Sequence, residues 1–220
     1  MRDKIGVVGY ECEDMILYLA YSLKEFGKRV AIEDRTEHGI MLRMLDAEVD
    51  LRNGEETTIY FQEITVTNSI LHKEDYDFIF MIFGYRLLHP KLYECEKLIL
   101  VTDDFPAHAS LLSELEEWER RQILLVRNHI ESKHGVAYLS LLTEQKTEAL
   151  LCVSWEERDN RIRNSLGSAE SVRLSRLSSS MREAIGQLVE FIVSDSQAES
   201  DREKRERGKA WGKWLRFGRR

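Results

Sequence analysis

A chain of 220 residues with 43% apolar content is of single-domain size, able to bury roughly 70% of its unfolded surface. Its formal charge of −7 is uneven: residues 208–220 hold Lys209, Lys213, Arg216, Arg219 and Arg220 with no acid, so they carry +5 and the remainder −12. So acidic a body argues against specific nucleic-acid binding, and no apolar run approaches the ~20 residues that span a bilayer, residues 78–83 being strand-sized.

Three scattered cysteines, Cys12, Cys95 and Cys152, form no C-x-x-C, and no secretory apolar region opens the chain. A reduced, cytoplasmic setting is expected, with the protein soluble or held peripherally at a membrane. The six histidines show no metal-ligand spacing, His129 and His134 lying five apart and His38, His72, His89 and His108 isolated, so no metal and no cofactor is expected.

Residues 4–34 read as strand, short turn, amphipathic helix, strand. Residues 4–9 are a short apolar run; Ile16, Leu19, Ala20, Leu23 and Phe26 recur at helical spacing; Gly27 marks the stop, and 30–32 resume the extended pattern. In nucleotide-binding α/β proteins the first such turn bares backbone amides to phosphate, with a lysine and a hydroxyl beside them. Here it reads Gly9, Tyr10, Glu11, Cys12, Glu13, Asp14, with no lysine, no hydroxyl and three carboxylates.

Further along, residues 36–45 suggest a short helix and 50–54 a polar turn. Residues 57–61 and 63–67 are β-rich, a hairpin or two edge strands. Residues 75–84, DYDFIFMIFG, and 98–103, LILVTD, are strands buried on both faces of a parallel sheet. Asp103 and Asp104 stand at a strand's carboxyl end, where ligands collect in doubly wound sheets, although capping of the next helix accounts for them as well. A helix is expected over 107–121 after Pro106, with Leu111, Leu112, Leu115 and Trp118 on one face. Residues 123–130 form a strand ending near Asn128, and 150–154 a last short one. A closing helix over 176–193 buries Leu177, Met181, Ile185, Leu188, Val189 and Ile192, with Ser178 to Ser180 at its start or on its outer face.

Residues 20–34, AYSLKEFGKRVAIED, resemble the first helix and second strand of the ParA/MinD group of deviant P-loop ATPases, which includes the TadZ/CpaE-like proteins of pilus assembly. The resemblance covers about residues 4–193. It places Asp34 on the family's aspartate after strand two and Asn128 on its adenine-reading asparagine, as vestigial nucleotide contacts. Cys12 and Glu13 fall where the family has its P-loop lysine and hydroxyl, and Ile82 where it has the magnesium-ordering aspartate. Two catalytic parts are therefore missing in register.

The expected fold is a three-layer α/β domain with a mainly parallel twisted sheet, P-loop NTPase-like but without a working P-loop, over residues 1–193. A charged linker follows at 194–207 and a basic, aromatic, amphipathic tail at 208–220. Within the tail Ala210, Trp211, Trp214, Leu215 and Phe217 fall in an arc of about 160° opposite Lys209, Lys213, Arg216, Arg219 and Arg220. Similar in character to the C-terminal helix of MinD, it suits an anionic membrane surface or a protein partner. The resemblance implies a non-catalytic localisation or scaffold protein of a bacterial pilus, secretion or partition apparatus, with protein partners and a nucleotide-independent homodimer in which Tyr10 is a candidate contact. The alternatives are an ATPase with an unorthodox phosphate site and a Rossmann-like interaction module that binds no nucleotide.

Overall fold

The computed structural model describes residues 3–45, 56–115, 120–130, 135–168 and 173–193. The polar turn at 50–54, Trp118, His134, the linker at 194–207 and the tail at 208–220 lie outside them.

The opening unit forms as its pattern requires: β1 (Asp3–Gly9), α1 (Glu13–Glu25) and β2 (Val30–Asp34). Residues 15–20 of α1 have no exposed surface, because the helix rests on the sheet and is flanked by the closing helix. It ends where Gly27 turns left-handed at φ +72°, and the amides of Gly27 and Lys28 bond back to Lys24 and Leu23 carbonyls.

The described residues form one eight-stranded sheet in the order β3-β4-β2-β5-β1-β6-β7-β8. β3 (Thr58–Phe61) and β4 (Ile64–Thr67) make an antiparallel hairpin, settling the choice left open by the sequence. Its two-residue turn, Gln62 and Glu63, is left-handed at φ 49° and 66°, which matches the strands' twist. β5 (Phe78–Gly84), β6 (Lys97–Asp103), β7 (Arg121–His129) and β8 (Ala149–Ser154) join β1, β2 and β4 in parallel.

The layers are three. α1, the short α2 (Ile40–Met44) and α6 (Ser179–Val193) cover one face, packing on Ile5, Val7, Ile32, Phe80, Ile99 and Leu125. α3 (Pro106–Leu111) and α4 (Gly135–Leu142) cover the other, on Met81, Phe83, Leu98, Leu100 and Leu124. α5 (Glu157–Asn164) follows β8. No helix among the described residues is long and apolar enough to cross a membrane.

Two expectations need correction. The helix over 107–121 stops at Leu111 and tightens into a 3-10 turn at Leu112–Glu114. Arg121 is the first residue of β7, pairing with Lys97 of β6 and binding Glu148 through its side chain, so the sheet claims what helical periodicity assigned to α3. The closing helix starts at Ser179, not 176: the Ser178 hydroxyl accepts the Met181 amide at 3.0 Å, an N-cap that leaves Leu177 outside. At its other end the buried Lys97 ammonium bonds the Ile192 carbonyl and lies 3.4 Å from the Asp3 carboxylate.

Candidate functional site

The carboxyl ends of the strands, where α/β folds place ligands, gather every site residue named from the sequence within the described residues. At the end of β1, Gly9 adopts φ +110°, and a Cβ there would lie 2.0 Å from the Val101 carbonyl oxygen, so only glycine fits. Tyr10 continues against β6, its amide bonding the Val101 oxygen at 2.8 Å. Cys12 then precedes α1, its carbonyl accepting the Ile16 amide.

The three carboxylates of this turn do not face open solvent as a group. Glu11 is half exposed, but Glu13 and Asp14 are buried at 3% and 1% exposure. What buries them is Arg127 of β7. Its side chain leaves the same face of the strand as Ile123 and Leu125, toward α1, and its guanidinium forks onto Asp14 with Nη1 to Oδ1 at 2.7 Å and Nη2 to Oδ2 at 3.0 Å. The same Nη1 donates to the Glu11 carbonyl at 2.7 Å. Arg163 of α5 adds a second cation, 2.6 Å from Glu11 Oε2 and 4.0 Å from Glu13 Oε2. The turn thus aims a carbonyl and carboxylates at two arginines, the reverse of a phosphate cradle's electrostatics.

The chemistry this permits is narrow. Burial pushes the Cys12 thiol well up, and the neighbouring Glu13 carboxylate adds to the effect, so no thiolate nucleophile stands at the lysine position. Burial also raises Glu13 above the usual carboxylate range, yet at 3% exposure no substrate reaches it. Tyr10 and Tyr85 are raised too, by burial first and then by nearby acids, Glu11 and Asp103 for Tyr10 and Asp103 for Tyr85. Neither phenol serves as a base near neutral pH.

The two vestigial contacts are held apart from this cluster. The Asp34 carboxylate accepts the Thr36 amide and hydroxyl at 3.1 and 2.6 Å and the Leu42 amide at 3.2 Å, which makes it a brace for α2. Asn128 sits at φ +53° where the pairing of β7 with β8 slips, a conformation that asparagine tolerates better than most residues. Ile82, at the magnesium-aspartate position, is buried in the α1 face of the core. Asp103 accepts the Phe105 amide and pairs with His108 at 2.9 Å, while Asp104 pairs with His129 at 2.7 Å and accepts the Ile130 amide. Asp103 therefore caps the chain after β6 and Asp104 the chain after β7, and the two order His108 and His129.

A surface grows from that capping. The His108 ring stacks on Tyr10 at 5.0 Å, meets the edge of Phe105 at 5.1 Å and lies 6.1 Å from Tyr85. Phe105 remains 59% exposed, so the edge presents an aromatic cluster rather than a cleft. Arg127, Arg163, Tyr85, Phe105 and His108 are the residues that sequence reasoning missed here.

No family model and no curated protein sequence matches the chain. Its fold is shared with solved structures. A ParA family ATPase from Chlorobium tepidum TLS aligns with a TM-score of 0.57 at 12% identity, over 86% of this chain and 97% of that one. A plasmid partition protein from Borrelia burgdorferi aligns at 0.55 and 12% identity, over 89% and 100%. The ParA/MinD-like, P-loop NTPase-type fold expected from residues 4–193 is the fold observed.

Proposed function

We propose that this protein is a pseudo-ATPase: a ParA/MinD-like localisation or scaffold factor that works through its surface in a bacterial pilus, secretion or partition apparatus. The observation that carries the reading is the Arg127 guanidinium locked between Asp14 and the Glu11 carbonyl. A nucleotide triphosphate at that turn would have to displace a buried, bidentate ion pair and then face Glu11, Glu13 and Asp14. Breaking a buried pair by taking away one partner costs about 3–5 kcal/mol, before any phosphate is bound. The absence of a P-loop lysine and hydroxyl supports the same conclusion.

Titration of Mg-ATP into the intact protein should give no heat of binding and no phosphate release. Micromolar binding that disappears with Asn128→Ala would overturn the reading and favour an ATPase with an unorthodox site. The basic aromatic segment 208–220 supplies the localising half: five cations can each add about 1 kcal/mol at an anionic leaflet, with tryptophan and phenylalanine at the headgroup boundary. The intact protein should pellet with anionic vesicles, less so at high salt, and Trp214→Glu should release it.

A further inference from the structure

A groove runs between α1 and α6 on the outer surface, lined by Ser22, Phe26, Leu174, Ile185, Gly186 and Val189, with the exposed Glu25 beside them. Its cavity measures about 170 Å³, smaller than a small-molecule site and of the size that admits a single aromatic ring. Two features make it more than a helix crossing. Gly186 stands in the middle of a 15-residue helix, where glycine costs about 0.8–1 kcal/mol relative to alanine, and it lines the groove with backbone alone. At the rim Phe26 stays 44% exposed.

The position of the groove says what can fill it. α6 ends at Val193, seven residues past Gly186, which is about 10 Å along the helix axis. Residues 194–207 then place fourteen residues, polar and free of large apolar side chains, before segment 208–220, and fourteen residues can span at most about 46–50 Å, ample to lead back to the groove. Segment 208–220 is therefore delivered to the groove at an effective concentration of about 1 mM. It brings two indoles and a charge of +5 to a body of −11 over residues 1–193, with Glu25 and, one helical turn past Gly186, the exposed Glu190 close by.

We propose that the α1/α6 groove is the resting seat of the chain's own segment 208–220, an indole of Trp211 or Trp214 entering between Phe26 and Gly186, and that an anionic leaflet competes for the same segment. Docking stands on the groove and the tether alone; the competition rests on the membrane reading above.

Hydrogen exchange on the intact protein without lipid tests the docking. A docking constant of about 0.1 mM against the tethered concentration should slow exchange around the groove by roughly tenfold relative to a chain truncated after Arg207. Gly186→Leu, which adds a side chain to the lining, and the double variant Trp211→Ser, Trp214→Ser, which leaves the folded body unaltered, should each abolish that difference. Protection should also be unchanged on dilution by about a hundredfold, as an intramolecular contact requires. Equal exchange in the intact, truncated and double-variant proteins would overturn the docking, and so would protection that fades on dilution, which would mark a second copy as the occupant. Saturating phosphatidylglycerol vesicles should remove the protection as the protein pellets. Pelleting with the groove still protected would overturn the competition, while groove protection in a protein that never pellets would refute the membrane reading and leave the docking standing.

Discussion

Arg127 decides how the turn after β1 is read, and its energetics can be checked directly. Arg127→Met should leave Asp14 buried without its cation and cost about 3–5 kcal/mol, a large share of a typical folding free energy of 5–15 kcal/mol. Adding Asp14→Leu should restore most of the loss, because the pair's desolvation cost disappears with it. Urea midpoints of the two single variants and the double variant give the coupling, and a single-variant cost below about 1 kcal/mol would show that the pair does not hold the turn. Glu13 supplies a pH signature. Its pKa is raised in the fold, by burial above all, so the folded state binds more protons than the unfolded state between the two values. Its contribution is full below the unfolded pKa and is lost as pH rises through the folded one. Glu13→Gln should therefore gain stability relative to the parent as pH climbs above the usual carboxylate range, measured by urea unfolding at each pH. None of this pairing was visible as such in the sequence, since Arg127 and Asp14 stand 113 residues apart. A signal was present nonetheless: Arg127 stands two places after Leu125, on the same face of the strand and just past the apolar run 123–126, so its charge calls for an acid on the α1 side, and the first turn of α1 offers Glu13 and Asp14.

Among the elements, those with unambiguous period were legible and those that depend on the sheet were not. The β1–α1–β2 unit and the buried strands β5 and β6 follow from apolar runs and helical spacing, although the strand expected over 75–84 starts only at Phe78, because residues 73–75 close a 3-10 turn before it. α3 was overrun because Leu111, Leu112 and Leu115 keep helical spacing past the point where the chain must turn into β7. The start of α6 likewise yields to a cap. Ser178 holds the Met181 amide with its hydroxyl while its own amide donates to Asp159 of α5 at 2.8 Å, so one residue fixes the entry of the last helix and the position of the one before it. Ser178→Ala should cost about 1 kcal/mol, which for a domain of this size is a fall in Tm of roughly 2–4 °C by calorimetry. An unchanged Tm would mean that Asp159 sets the helix start without the hydroxyl.

For the whole molecule, the proposed scaffold role needs a contact surface, and we propose the aromatic edge formed by Tyr10, Tyr85 and Phe105 as the place where a second copy meets the fold. Because the turn beneath it is held by Arg127, pairing there should ignore nucleotide. Light scattering should return the same mass with and without Mg-ATP, and Phe105→Ser should lower any dimer to monomer. A monomer that dimerises only with ATP would contradict this. The composition already pointed to a single acidic domain, but the edge itself could not be read from the chain, because its rings come from three loops brought together only by strand order.

The Lys97 ammonium touches both the carboxylate of Asp3, at the start of the first strand, and the carbonyl of Ile192, near the end of the last helix. The two extremities of the folded body therefore meet at one point, at the opposite end of the strands from Tyr10 and Arg127. Joining Asp3 to Val193 through a few glycines should leave the architecture intact, so the chain can be circularly permuted, with new ends cut between Gln62 and Glu63 at the tip of the β3–β4 hairpin. Labels attached at Asp3 and at Val193 would sit side by side, at the far end of the strands from the aromatic edge.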